Sequence, residues 1–471
     1  MKSQKRSIIA LFLVIATVIA LFSVLSACDN NPKVPDDSTS DVPSSSATGE
    51  QTESTDQQTE STDKQTESGK QTESDKQTES DKQTESDKQT ESDKQTESDK
   101  QTESDKQTET DTPTVKPDYT NPLTGEAIAD DRGLDLEFQR PVAIVIGNSA
   151  DVPLQYGLST ADILYEYPVE GGITRFLAVV YDYSSISKIG GIRSSRYYDL
   201  AFAGSFNAIT FAAGGSTSNT SAEVSPDYDV LLLAKNRGIF FINALDYDYS
   251  DGSGFAFRDT SIVDAAISEH NLVTTGARLR RAISFFVNKY SNTEKYGSAY
   301  SYVTSTSSDV RGFKFVEWGT KNTLDEGSSA QRIHVDFSSK SRVAFTYQNG
   351  TYSRKQDLTG DGYKDHVDAL TGETLSYTNL LLLKTDAAKK LDVSKDGYEN
   401  KYGVLDFKFT NTSLSNGSNG YYFTNGRVIP IIWTKSGYDS ELRIFDTEGN
   451  EIEFNRGKTY IGVGYTTVVY N

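Results

Sequence analysis

Residues 29–116 contain no Phe, Trp, Tyr, Leu or Ile. Such a stretch cannot bury enough apolar surface to offset the entropy of ordering it. From Lys70 to Lys106 the six-residue unit KQTESD recurs almost unchanged. A coiled coil would need apolar a and d positions, which are lacking, and six polar residues are too short a period for a solenoid. The segment therefore reads as a disordered tether, and any fold must come from the rest of the chain. The tether holds 10 Lys against 24 Asp and Glu, a net −14 of the chain's −20. A coil of this length has a reach of about 50 Å, and more when like charges repel. Acidity of this kind keeps a hydrated spacer off a negatively charged membrane surface.

The residues before the tether predict where it starts. Lys2, Lys5 and Arg6 precede an apolar run from Ile8 to Leu25, broken by Thr17 and Ser23. A basic start followed by an apolar run resembles a secretory signal, although the run is close to the roughly 20 residues that span a bilayer. The ending Leu25-Ser26-Ala27-Cys28 resembles a bacterial lipobox, which implies cleavage before Cys28 and acylation of its sulfur. Cys28 is the only cysteine of the chain, so disulfides do not hold the fold. Two or more acyl chains on one residue give stable attachment. The expectation is a signal over 1–27, a tether over 28–116, and a body outside the cell, attached to the membrane through lipid on Cys28.

The body, Pro117 to Asn471, has 355 residues. That exceeds the size at which one core stops growing, so two domains are expected. The polar stretch 290–312 supplies the seam, giving domains over 117–300 and 301–471. In the first, RPVAIVIGN reads as a buried strand and ILYEYPVEGGITRFLAVVYD as a hairpin from Ile163–Tyr167 to Ile173–Tyr181. SSRYYDLAFAGSF predicts a helix capped by Ser194 or Ser195. FNAITFAAGGS predicts a buried strand, and IVDAAISEHN and TTGARLRRAISFFVNKYS predict amphipathic helices. In the second, SRVAFTYQNGTYSRKQD places Asn349-Gly350 between alternating segments, a strong hairpin signal. LSYTNLLLLKTD, GVLDFKFTNTS, NGYYFTNGRVIPIIWTKSG and the segment ending TYIGVGY continue as antiparallel strands, pointing to a small sandwich or half-barrel, with Trp318 and Trp433 in its core or on its face. The fold class is α+β: a mixed α/β N-terminal domain and a mainly antiparallel β C-terminal domain.

The chemistry-bearing residues are few. A nucleophile elbow, an H-E-x-x-H helix and a cysteine cluster are all lacking. Of His270, His334 and His366, His270 closes a helix pattern, where structural histidines are common. The body is mildly acidic, which argues against nucleic acid as a partner. The densest polar group is Asp162, Glu166, Glu170, Arg175, Arg193 and Arg196. Arg193 and Arg196 flank a helix start behind Gly190-Gly191, a place suited to a carboxylate or phosphate. Three readings stay open: a ligand site for an anionic or sugar group of the cell wall, an acid–base pair of Glu166 and Glu170 cleaving a glycosidic bond, and a buried Arg–Glu network that only locks hairpin to helix. A separate signal is DLTGDGYKDHVD. Asp357, Thr359, Asp361, Tyr363, Asp365 and Asp368 fall at calcium-loop positions 1, 3, 5, 7, 9 and 12, with Gly362 at 6. Position 12 lacks the usual Glu and the flanks read as strand. The loop is either a structural calcium site or a polar hairpin tip. No other cofactor is implied.

Several stretches together resemble one family: NPLTGE, RPVAIVIGN, GLSTADILYEYPVEGGITRFLAVVYD, SKIGGIRSSRYYDLA, AAGGS, FRDT, EHNLVTT, YYFTNGRVIPIIWTKSG and FNRGKTYIGV. They resemble the YerB-like bacterial lipoproteins, an uncharacterised family with an N-terminal and a C-terminal domain, and they span about residues 121 to 465. The resemblance implies a membrane-anchored surface lipoprotein. Similar proteins often carry a His just before Ala-Gly-Gly-Ser, where this chain has Ala212. The reading adopted is a non-catalytic binding or scaffold module acting on wall polymer or a wall enzyme, with a carbohydrate-active hydrolase as the alternative.

Overall fold

The apolar run after Arg140 forms β1, Val142–Asn148. The hairpin follows as β2, Ile163–Pro168, and β3, Thr174–Val180, joined by a turn in which Gly171 and Gly172 take φ of 73° and 79°. The computed structural model describes residues 115–136, 139–151, 155–216, 229–246, 254–261, 269–296, 298, 301–304, 310–385 and 418–471. The expected signal over 1–27, Cys28, the tether up to residue 114, most of the expected helix IVDAAISEHN and the whole of GVLDFKFTNTS lie outside them.

Helix α1 is Asp130–Leu136 and α2 is Tyr197–Gly204. Neither Ser194 nor Ser195 caps α2. Arg196 precedes its first turn, and the Asp199 carboxylate reaches back to accept the Arg196 N–H at 2.7 Å. A carboxylate at the third helical position supplies the reciprocal half of a capping box, satisfying the N–H of the residue before the helix. Ser195 is drawn away instead, with its N–H on the Gly214 carbonyl at 2.9 Å. Beyond come β4, Ile209–Ala212, α3, Val230–Arg237, and β5, Phe241–Asn243. Helix α4, Gly276–Tyr290, is capped by Thr275 and buries Leu279, Ala282 and Phe286 along one face.

The C-terminal part contributes β6, Ser328–Ser329; β7, Arg332–Ser338; β8, Ser341–Gln348; and β9, Thr351–Asp357. After these come β10, Lys364–Asp365; β11, Ser376–Tyr377; β12, Asn379–Leu383; and β13, Ser418–Thr424. The last four are β14, Arg427–Thr434; β15, Arg443–Phe445; β16, Thr459–Val463; and β17, Thr467–Tyr470. The Asn349-Gly350 turn joins β8 to β9, both residues at positive φ.

Among the described residues, β7 to β11 and β17 make an antiparallel six-stranded sheet. The other late strands do not form a sheet of their own. β16 runs parallel to both β12 and β2, so among the described residues one eleven-stranded sheet continues from β14, β13 and β12 through β16 into β2, β3, β1, β4 and β5. Parallel neighbours require a crossover rather than a hairpin, and nothing in the local text of TYIGV distinguishes the two.

Alternate residues of this sheet enter different cores. Val142, Ile144, Ile146, Leu164, Phe176, Leu380 and Leu382 pack on one face, against α4 and the six-stranded sheet. Ala143, Val145, Tyr165, Leu177, Leu381 and Ile461 pack on the other, against α2 and α3. Burial on both faces explains why the strands read as continuous apolar runs. Trp433 is buried in the second core. Tyr165 stacks on Phe202 of α2, centroids 4.8 Å apart.

The end of α2 is pressed against the loop after β14. A Cβ on Gly204 would stand 1.9 Å from the Tyr438 carbonyl oxygen. Gly204→Ala is therefore expected to cost about 1–3 kcal/mol by overpacking, read as a lowered urea midpoint. An unchanged midpoint would mean this approach is loose.

Candidate functional site

Among the described residues, seven strands of the large sheet point the same way: β1, β4 and β5 pair in parallel, β2, β16 and β12 pair in parallel, both sets oppose β3, and β14 shares their direction across β13. In open sheets of this kind ligands collect at the carboxyl ends of the strands, where neighbouring connections part. Here β1 and β4 diverge past Ile144, and the segment Ile192–Ser195 wedges between them. Ile192 bridges Ile146, Ser195 bridges Gly215, and Arg193 accepts from Ala213 N–H at 3.0 Å. Gly147 makes room for this wedge, since a Cβ there would meet the Arg193 stem at 2.8 Å. Gly214, at φ 69°, has open space where a side chain would be.

This wedge brings together four of the five residues predicted as a ligand site. Glu170, in the turn after β2, binds Arg196 and lies 4.0 Å from Arg175. Arg175, at the start of β3, also donates to the Ser194 carbonyl. Arg193 donates to the Glu269 carbonyl at 2.8 Å and stands 3.8 Å from its carboxylate. Burial would raise the Glu170 carboxyl, but Arg196 and Arg175 outweigh it and hold it below its usual range. Burial and the Arg196 charge push Arg175 down to about 10. Burial pushes Asp199 up to about 6. His270 sits beside Arg193, and burial followed by that positive charge lowers its pKa. The sequence reading gave Glu269 no role and His270 a structural one. Their only signal was the run Glu269-His270-Asn271 at the end of a helix pattern.

Glu166 is not part of this group. Arg175 pairs with Tyr167 across the hairpin, so Glu166, one residue earlier, faces the other way. The two carboxylates proposed as an acid–base pair thus lie on opposite faces of the sheet. Glu166 is fully buried. Its Oε2 accepts from Arg354 at 2.6 Å and Tyr460 at 2.7 Å, and its Oε1 accepts from Thr174 at 2.8 Å and Asn148 at 3.2 Å. Arg354, on β9, is equally buried and also donates to Gln356 at 3.0 Å and to His366 Nδ1. His366 Nε2 then donates to Gln155 at 2.7 Å. Every oxygen of the buried anion is satisfied, as a buried ion pair requires. This lock joins β2 to the six-stranded sheet and has the character of the structural alternative, with a partner other than Arg175.

The residues of the DLTGDGYKDHVD loop go to different places. Asp357 accepts from Gly360 N–H at 2.7 Å and binds Arg342 at 2.5 Å. Thr359 and Asp361 are exposed, and the Tyr363 ring rests edge-on against His334 at 5.2 Å. Asp365 pairs with Lys355 at 2.9 Å. Asp368 turns inward to the Gly157 and Ser159 N–H groups at 2.9 and 2.8 Å. Among the described residues, no group of three or more His, Cys, Asp or Glu is arranged to hold a metal ion.

Two family models match the body in order. One is the N-terminal domain of a protein of unknown function (DUF3048), over residues 123–284, and the other its C-terminal domain, over residues 333–461. A Bacillus subtilis (strain 168) protein named "Putative lipoprotein YerB" is 25% identical over 331 residues, covering 69% of this chain and 81% of that protein. The crystal structure of the Bacillus subtilis YerB protein matches with a TM-score of 0.50 at 21% identity, over 74% of this chain and 99% of that one. The two ordered domain matches, the relative and the shared fold together place this chain in the YerB-like (DUF3048) family.

Proposed function

We propose that this protein is a lipid-anchored binding module of the cell envelope. Cys28 carries the lipid, and residues 29–116 space the body outward from the membrane. The relative named as a lipoprotein supports the anchored reading. The wedge at the carboxyl ends of the strands then holds an anionic group, a carboxylate or phosphate of wall polymer. The observation that carries this is the convergence of three guanidiniums at one opening: Arg175 and Arg196 share the carboxylate of Glu170, with the buried Asp199 carboxyl close to both, and Arg193 stands beside them against the exposed Glu269. Arg193 keeps 24% of its side chain exposed and is the group a ligand meets first.

Co-sedimentation with purified wall sacculi tests it. Arg193→Ala is expected to weaken retention about 10- to 100-fold, as for a lost charged hydrogen bond of about 1.5–3 kcal/mol. Unchanged retention ends the proposal. A clearing zone on a wall zymogram that Glu170→Gln abolishes would instead establish a hydrolase.

A further inference from the structure

The outer edge of β14 is interrupted. β6 pairs with it at Arg427 and Val428, and β15 pairs with it from Ile432 to Thr434. Between them Ile429, Pro430 and Ile431 have no outer strand partner among the described residues. A groove of about 710 Å³ lies over this gap. Its apolar lining comes from Ile429, Pro430, Leu324, Val316 and Ile452. Its charged lining is Asp325, Glu326, Asp446, Glu448, Glu451 and Glu453 against the single cation Lys321.

Three of these carboxylates are engaged. Glu451 pairs with Arg443 at 2.9 Å, Glu453 pairs with Lys314 at 2.7 Å, and Asp446 accepts the backbone of its own turn. Asp325, Glu326 and Glu448 have no ion pair among the described residues and are exposed. A concave site lined by one sign of charge focuses the field at its centre and selects the opposite charge. The interrupted pairing bears on shape: a short stretch of strand edge stands open between β6 and β15, which suits an extended segment. A strand sends alternate side chains to opposite sides, one set to an apolar floor and the other to charged walls.

We propose that this groove docks an extended segment of a partner protein in which lysine or arginine alternates with apolar residues. The proposal is independent of the arginine wedge, which selects anions at the other kind of site. Pro430 removes one N–H from the edge, so part of the affinity comes from side chains rather than from the strand ladder.

The test uses the full chain and a labelled Lys-Val-Lys-Val-Lys-Val peptide, followed by fluorescence anisotropy. Glu-Val-Glu-Val-Glu-Val and Lys-Ser-Lys-Ser-Lys-Ser peptides run in parallel. The first peptide is expected to bind at least tenfold more tightly than either control. E326K/E448K, both at exposed positions, is expected to weaken it at least tenfold with an unchanged melting curve. D130K/D131K, the same charge change on α1, is expected to leave affinity unaltered. Equal loss in both double variants means general attraction to an acidic protein and overturns the proposal. So does equal binding of the lysine–serine peptide. Absence of binding also overturns it, and leaves proline and carboxylates as guards against edge-to-edge association.

Discussion

Arg354→Ala is expected to remove about 3–5 kcal/mol of folding stability, among the largest losses available to a single substitution in this fold. The reason is not the value of the ion pair itself. Removing Arg354 leaves the Glu166 carboxylate fully buried, still accepting from Tyr460, Thr174 and Asn148 but with no counter-charge. It also strips a guanidinium from the face of Phe176, 5.2 Å from its centroid, and a donor from His366 Nδ1. The double variant Arg354→Met with Glu166→Leu removes both charges and keeps volume. It is expected to recover most of the loss, since well-packed apolar replacements of buried pairs are often neutral. Urea denaturation of the three proteins decides this. A single-variant loss below about 1 kcal/mol would mean that water reaches Glu166.

The second large effect is a dependence on pH. Arg354 can only donate, so His366 Nδ1 is the acceptor and Nε2 carries the proton given to Gln155. Burial first, and the Arg354 charge second, hold His366 well below the ordinary 6.5. The unfolded chain therefore takes up a proton below pH 6.5 that the native state refuses. This contribution to stability is complete above pH 6.5 and is lost as pH falls, by about 1.4 kcal/mol per unit while the native ring stays neutral. Asp162 and Asp199 act in the opposite sense. Burial raises each to about 6, so the native state binds their protons first and gains stability between about pH 6 and 4. The wild-type curve is expected to be shallower than the two carboxyls alone would make it, because the His366 slope opposes theirs. His366→Gln can keep both hydrogen bonds without titrating, and its stability is expected to rise on going from pH 6.5 to 4.5. If the variant and wild-type curves ran parallel over that range, His366 would not be the titrating group.

The residues legible in advance share one property: their partners are close in sequence. The β2–β3 hairpin shows in its alternation and in Glu170-Gly171-Gly172, and the β8–β9 turn in Asn349-Gly350. Helix α4 shows in the spacing of Leu279, Ala282 and Phe286 after Thr275. The grouping of Glu170 with Arg175 and Arg196 was visible because all three flank one hairpin and one helix start. The placement of Glu166 was not. Its partner lies 188 residues away on β9, and strand alternation had already turned it from Arg175. Asp368 shows the same difficulty. A calcium-like spacing drew it into a loop, while the fold directs it to backbone amides of residues 157–159.

Composition alone carries the expectation of a tether over residues 29–116, and local patterning alone marks most strands, the two tight turns and α4. Those outcomes depend on neighbouring dihedrals and on how much apolar surface each segment can offer. Tertiary structure decided that β16 slots in parallel beside β2, making one sheet of strands drawn from both ends of the body. It also decided that Arg354 neutralises Glu166 while Arg196 and Arg175 divide Glu170. A buried charge takes whichever counter-charge packing brings within reach, and no local rule ranks candidates hundreds of residues apart.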